Sequence, residues 1–441
     1  MITRCLSWLA IVSCSFAWTP TASAELQTAA AFIALFNGRD LSGWRGLGHF
    51  DPNELAKLDA AARAQKQAAD DADLRAHWRV ENGEIISDGH GVFLTTKEDY
   101  GDFELELEWK MMTAAGDSGI YLRGCPQVQI WDPNNAGELK NGADKGSGAL
   151  WNNNAPAGKF PLVRADRPIG EWNQFRIRMI GSRVTVRLNG ELTVADEVME
   201  NFFDRARPIF PRGPIQLQTH GSEMRFRNLA IRELTATDAT LALRAGEESE
   251  FRKLFDGKSL AGWTGATSSY EVTTESTLRC KAGEGGNLWT AEQFDDFELR
   301  FEFKLPPGGN NGLGIRSPLA GDAAYAGMEL QILDDTSERY RDLKPFQAHG
   351  SIYGVAPAHR GFLRPVGAWN YERVLVRGSL IEVWLNGFRI LNCDVDRIGA
   401  PADGQPHPGT KNRVGHIGFL GHGDPVEFRN ISVRVATPSK P

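Results

Sequence analysis

Residues 101–111 read GDFELELEWKM, and residues 295–305 read DDFELRFEFKL. In the first, Phe103, Leu105, Leu107 and Trp109 alternate with Glu104, Glu106, Glu108 and Lys110. In the second, Phe297, Leu299, Phe301 and Phe303 alternate with Glu298, Arg300, Glu302 and Lys304. A period of two places every apolar side chain on one face of an extended chain, so each stretch is predicted to be a strand covered on one side. The period continues through FRIRM at 175–179 and, beyond Gly181-Ser182, through VTVRLNG at 184–190. There Asn189-Gly190 suits a two-residue hairpin, and Gly378-Ser379 with Asn386-Gly387 take the same roles later in the chain. Many antiparallel strands with few helices predict an all-β sandwich of packed sheets.

The echo extends well beyond these strands. LFNGRDLSGW at 35–44 returns as LFDGKSLAGW at 254–263, SGIYLRG at 118–124 as NGLGIRS at 311–317, and VQIWD at 128–132 as LQILD at 330–334. EWNQFRIRM at 171–179 pairs with AWNYERVLV at 368–376, and HGSEMRFRNLAIREL at 220–234 with HGDPVEFRNISVRV at 422–435. The order never permutes, which predicts a duplicated domain of about 200 residues, ample for its own core. The expected division is 25–234, a polar, Ala-rich linker at 235–250, and 251–438. The copies are offset by 219 residues at Trp44 and Trp263 but by 193 at Arg123 and Arg316, so the first carries about 26 additional residues. ELAKLDAAARAQKQAADDADLRAHW at 54–78 has no Gly or Pro and is predicted as a helical insertion. It would cover a sheet edge, bridge the domains or gate a ligand site.

Residues 1–24, with Arg4, an apolar run through Trp18 and ASA at 22–24, are expected to be a signal peptide, placing the protein in the periplasm or outside the cell. A lipoprotein signal using IVSC at 11–14, with Cys14 as the lipidated residue, is the alternative. No later stretch reaches 18 uninterrupted apolar residues, so no transmembrane segment is expected. Cys125, Cys280 and Cys393 remain after residue 24, too few for a disulfide framework, although export would permit a Cys280–Cys393 bridge. A net charge of −7 without an extended Lys/Arg run argues against a nucleic-acid partner. Twelve Trp, 23 Phe and 47 Gly fit twisted sheets with tight turns and also suit a surface that holds sugars. HExxH, GxSxG, Walker and CxxC motifs do not occur.

Taken together, LFNGxxLxGW, GxSGIYLRG, the xxQIxD strand, the EWN and LNG pair and the terminal HG followed by FRN resemble the 3-keto-disaccharide hydrolase family of planctomycetes and Bacteroidetes, formerly a domain of unknown function. Both copies carry the resemblance. It implies two tandem concanavalin-like, lectin-like jelly rolls acting on a carbohydrate partner, a glycoside already oxidised at C3. A C3 ketone acidifies the C2 proton, so a base removes it while the C1 group departs and water adds to the enone. A divalent cation such as calcium would serve as electrophile, and Asp144 and Asp166 in loops offer oxygen ligands without forming an ordered ladder.

Alignment sets Gln127-Val128-Gln129-Ile130-Trp131-Asp132 over Glu329-Leu330-Gln331-Ile332-Leu333-Asp334. Alternation places Glu329 and Gln331 on one face, with Asp334 opening the next turn. The resemblance implies Glu at the first of these positions, so Gln127 marks the second copy as the expected active one. Glu329, His422 and Arg316 are the expected catalytic residues. Gln331, Asp334, His349, Tyr353, Arg123, Gln127, Gln129, Asp132 and His220 are the expected substrate contacts. Arg123 and Arg316 end matching strands and offer a fork of donors, while His220 and His422 occupy matching positions before a Gly. His349 and Tyr353 are specific to copy two; with Gly148 set over Ser351, Gly146 stands at the place of His349. Glu329, Gln331, Arg316 and His422 are expected around one concave pocket. A non-catalytic pair of sugar-binding modules and a structural protein of the cell envelope are the other readings the sandwich supports.

Overall fold

The structure is a computed structural model that describes residues 31–154, 156–245 and 250–435. The expected signal peptide lies outside the described residues. Each copy forms two antiparallel sheets facing one another, a jelly-roll sandwich. In the first, the larger sheet runs in the order Glu191–Val198, Arg183–Leu188, Asn173–Ile180, Phe103–Met111, Met224–Glu233, Glu84–Ser87, Trp78–Glu81, with Ile33–Ala34 added beside Met224–Glu233. The smaller sheet runs Trp44–Leu47, Phe93–Thr96, Gln216–Leu217, Asp117–Leu122, Cys125–Trp131. The second copy repeats both orders strand for strand. Its smaller sheet is Trp263–Gly265, Gly286–Thr290, His416–Gly421, Asn310–Ser317, Met328–Leu333.

The predicted alternation is realised in Phe103–Met111, whose apolar side chains are buried while its charged ones are half-covered. They meet Ile120, Val128, Ile130 and Leu217 of the smaller sheet, and each such side chain contributes about 1.5–3 kcal/mol by leaving water. In Phe297–Lys304 the reverse face is buried as well. The reason is the segment between the domains, which contains a helix, Ala236–Arg244, capped by Thr235. It docks on the second domain's larger sheet: Arg244 Nη1 donates to Glu302 Oε1 at 3.0 Å, and Arg364 Nη1 donates to Thr240 Oγ1 at 3.0 Å. Phe251 lies 3.9 Å from the Arg300 guanidinium. The domains also meet turn to turn, where Ser182 N donates to Gly387 O at 3.1 Å. A Cβ on Gly181 would come within 2.4 Å of the Gly387 carbonyl carbon, so only glycine admits this approach.

The insertion forms two helices, Pro52–Lys57 and Ala60–His77, started by Asp51 and Asp59. The longer one closes the edge strand Trp44–Leu47: Asp71 Oδ1 accepts from Gly46 N at 2.9 Å, and Gln67 Nε2 donates to Gly46 O at 3.0 Å. Side chains thereby pair the backbone groups that an open sheet edge would expose.

The three cysteines are free and buried. Cys280 and Cys393 stand on strands five places apart in one sheet, roughly 24 Å at the usual strand spacing, so the bridge that export would permit cannot close.

Candidate functional site

The smaller sheet of the second domain presents one face to the core and one outward. Leu313, Leu330 and Phe419 point inward, so Gly312, Gly314, Gly418, Glu329 and Gln331 share the outer face. The run of glycines has a specific cause. A Cβ on Gly312 would sit 2.2 Å from Glu329 Oε1, because the Glu329 side chain folds across the neighbouring strand. Cβ atoms on Gly314 and Gly418 would collide with the Trp289 ring at 2.5 and 2.3 Å. Trp289 thus floors this face, and the short helix Ala323–Ala326 covers its far side.

Glu329 is 8% exposed, and its Oε1 accepts no hydrogen bond from the protein. His422 Nε2 stands 3.9 Å from that oxygen, an ionic contact rather than a hydrogen bond. Gln331 Nε2 donates to Asn310 Oδ1 at 2.7 Å, and Asn310 N donates to Asp424 Oδ2 at 3.0 Å. Tyr353 N donates to Glu329 O at 2.8 Å, and the phenol oxygen of the half-buried Tyr353 accepts from Gln347 Nε2 at 3.4 Å. The Glu329 carboxylate, with Asp424 and Asp322 behind it, holds His422 above its ordinary imidazole range. A raised value means that the pairing stabilises the fold fully below the unfolded value and loses that effect as pH rises through the folded one. Replacing Glu329 by Gln is therefore expected to move the His422 titration, followed by its imidazole proton resonances, to lower pH; an unmoved or rising midpoint would contradict the pairing.

The first domain builds the same face with the acid elsewhere. Gln127 stands at the place of Glu329, Gln129 at that of Gln331, His220 at that of His422 and Asp117 at that of Asn310. His220 Nδ1 is 3.1 Å from Asp117 Oδ2, Gln129 Nε2 donates to Asp117 Oδ1 at 2.7 Å, and Gln127 Nε2 donates to Gln129 Oε1 at 2.5 Å. Carboxylate and amide have exchanged strands between the copies. The aromatic floor has moved too: Tyr121 occupies the position of Gly314, and Thr95 that of Trp289.

Several expected site residues are used otherwise. Arg316 is 1% exposed and spends all five donors internally: Nε and Nη2 on Asp295 O, Nη1 on Gly378 O and Asn412 O, Nη2 also on Asp296 Oδ1. Arg123 repeats this with Gly101 O, Gly181 O, Phe210 O and Asp102 Oδ1. Neither guanidinium has a donor left for a ligand, so Arg316 is not in the pocket with Glu329 and Arg123 is not a sugar contact. Asp334 accepts from Gly308 N and Thr336 Oγ1, and Asp132 accepts from Ala115 N and Asn134 N, so both fasten turns. His349 faces the core, with Nε2 3.0 Å from Glu372 Oε2, Nδ1 3.4 Å from Leu333 N and its ring against Phe303. Gly350 and Gly148 make the same bond to Gln331 and Gln129, so Ser147, not Gly146, stands where His349 does. Asp166 accepts from Ser147 N and Asp144 is exposed; among the described residues no three His, Cys, Asp or Glu side chains converge as a metal site. No helix among them is long and apolar enough to cross a membrane.

A family model, the 3-keto-alpha-glucoside-1,2-lyase-like domain, matches residues 31–232 and again 250–434. The chain belongs to that family. A 3-keto-disaccharide hydrolase of Bacteroides thetaiotaomicron is 26% identical over 230 residues, covering 41% of this chain and 77% of the relative. A Parabacteroides distasonis protein described as a glycosyl hydrolase is 27% identical over 42% of this chain and 99% of its own, with a TM-score of 0.37. The exoplasmic/lumenal domain of VIP36, in a form bound to Ca2+ and Man3GlcNAc, is 14% identical over 44% of this chain and 92% of its own, with a TM-score of 0.28. Within both copies of this lyase-like domain, the reading of sequence missed Asp117, Asn310 and Asp424. The first two were detectable, because Asp117-Ser118-Gly119 aligns with Asn310-Asn311-Gly312 and the exchange of acid for amide runs opposite to that at Gln127 and Glu329.

Proposed function

We propose that the second domain acts on glycosides whose sugar carries a ketone at C3, with Glu329 as the base that takes the C2 proton. The observation that carries this reading is the Glu329 carboxylate itself, held on the outer face of the smaller sheet with a buried Oε1 that accepts no hydrogen bond from the protein and has the His422 imidazole 3.9 Å away. Proton transfer breaks C2–H and leaves the pair in an enolate on C3. The enolate then re-forms the ketone, makes the C1–C2 double bond and expels the C1 oxygen, and water adds back at C1. His422, cationic below its raised midpoint, faces Glu329 Oε1 and supplies positive charge where the enolate and the departing oxygen develop it. Gln331, which shares the face of the base and keeps its Nε2 on Asn310, and Tyr353, bonded through its backbone to Glu329, are the neighbouring polar residues assigned to sugar hydroxyls. Such a substrate would be met outside the cytoplasm, the location that residues 1–24 predict. Purified protein is expected to release the C1 substituent from a 3-keto-glycoside and to leave the unoxidised glycoside intact, as followed by chromatography. Tight binding of both with release from neither would favour a sugar-binding module instead.

A further inference from the structure

We infer that the first domain is a second working site, in which His220 Nε2 replaces the Glu329 carboxylate as proton acceptor and Asp117 positions it. This rests on the chemistry proposed for the second domain and assigns the first domain the same substrate class, a 3-keto-glycoside. The absence of Glu at Gln127 would make the first copy a relic if the carboxylate had simply been lost. It has instead moved one strand over, to Asp117, and the histidine has turned to meet it. In the second domain the histidine presents Nε2 to the carboxylate at 3.9 Å; in the first it presents Nδ1 at 3.1 Å. A proton held on Nδ1 by a carboxylate leaves the lone pair of a neutral imidazole on Nε2, the tautomer a general base needs. The His220 side chain is 61% exposed, so Nε2 is accessible.

A second observation on the same face points to a ligand. Gln218 is 8% exposed, its Oε1 accepts no hydrogen bond, and that oxygen lies 3.0 Å from where a Cβ on Gly119 would be, beside Gln127. Gln127 and Gln129, chained to Asp117, line the face next to it. The charged groups that bear on His220 are Asp117 from its neighbouring strand and Glu138 from the loop after Cys125–Trp131, and both raise its affinity for the proton. In the step itself His220 Nε2 takes the C2 proton, the C2–H pair passes through the C3 enolate into the C1–C2 double bond, the C1 oxygen leaves with the C1–O pair and is protonated by water, the hydroxide so formed adds at C1, and His220 delivers a solvent-exchanged proton to C2.

The test uses the full chain and a 3-keto-glycoside with a chromogenic leaving group. Glu329→Gln alone is expected to retain turnover that a further His220→Gln lowers at least about tenfold. Asp117→Asn in the Glu329→Gln background is expected to shift the midpoint of the remaining pH–rate profile to lower pH, since the imidazole loses the carboxylate that raises it; a purely structural Asp117 would leave the midpoint in place. If Glu329→Gln and the double variant turn over equally and both far more slowly than the wild type, the second site is refuted and the first reading stands; if both keep the wild-type rate, both assignments fall. If the wild type releases nothing from any 3-keto-glycoside, the proposed chemistry falls, and the second site with it.

Discussion

In a chain whose His220 is already Gln, Glu329→Gln is expected to lower turnover of a 3-keto-glycoside by about 10²–10⁴-fold, the usual contribution of a positioned general base. An amide is nearly the same size as the carboxylate, so the fold across Gly312 and the floor of Trp289 should survive. What changes is the ability to accept a proton. Binding should therefore persist while kcat falls, which separates loss of chemistry from loss of the site. The first domain offers an internal precedent for tolerance, since Gln127 already occupies the matching place beside Gly119. Undiminished turnover would discard Glu329 as the base.

Arg316→Ala is expected to destabilise the second domain by about 2–4 kcal/mol, because backbone carbonyls that the buried guanidinium satisfies lose their donors, and to lower its thermal midpoint by roughly 10 °C. The substitution strips donors from the carbonyls of Asp295, Gly378 and Asn412 and leaves Asp296 without its buried partner. Arg316→Lys should rescue little, because one ammonium cannot replace a planar fork that reaches three carbonyls and a carboxylate at once. Calorimetry would show the effect. A stable variant with lost turnover would instead revive a catalytic Arg316.

Matching arginines on matching strands were visible in the sequence as a pair, and their duplication was real; their purpose was not visible. YLR and GIR read the same whether the guanidinium faces a groove or the interior. The deciding fact is a left-handed backbone, φ +54° at Arg123 and +47° at Arg316, which carries the side chain away from the strand's alternation toward carbonyls distant in sequence. Alternation worked where the backbone was regular, as in Phe103–Met111 and in the shared face of Glu329 and Gln331. The expected ligand contacts outside the regular strands failed for local reasons: the carboxylates of Asp132 and Asp334 are consumed by turns, and His349 replaces Ser147 as acceptor from a strand-end N–H while reaching Glu372 in the core. The motif order gave the two-sandwich plan, since strand order in each sheet follows the duplicated order of segments. The docked helix Ala236–Arg244 was hidden because a polar, Ala-rich stretch is equally suited to a linker and to a helix held by Arg244 and Thr240.

The decisive measurement is the fate of the C2 hydrogen when a 3-keto-glycoside turns over in D2O, read by NMR of the released 3-keto sugar against a protein-free control. Removal of the C2 proton followed by addition of water predicts deuterium at C2 in step with release of the C1 substituent. Release with the original hydrogen retained at C2 would mean direct displacement at C1 and would contradict the elimination on which the roles of Glu329 and His220 depend.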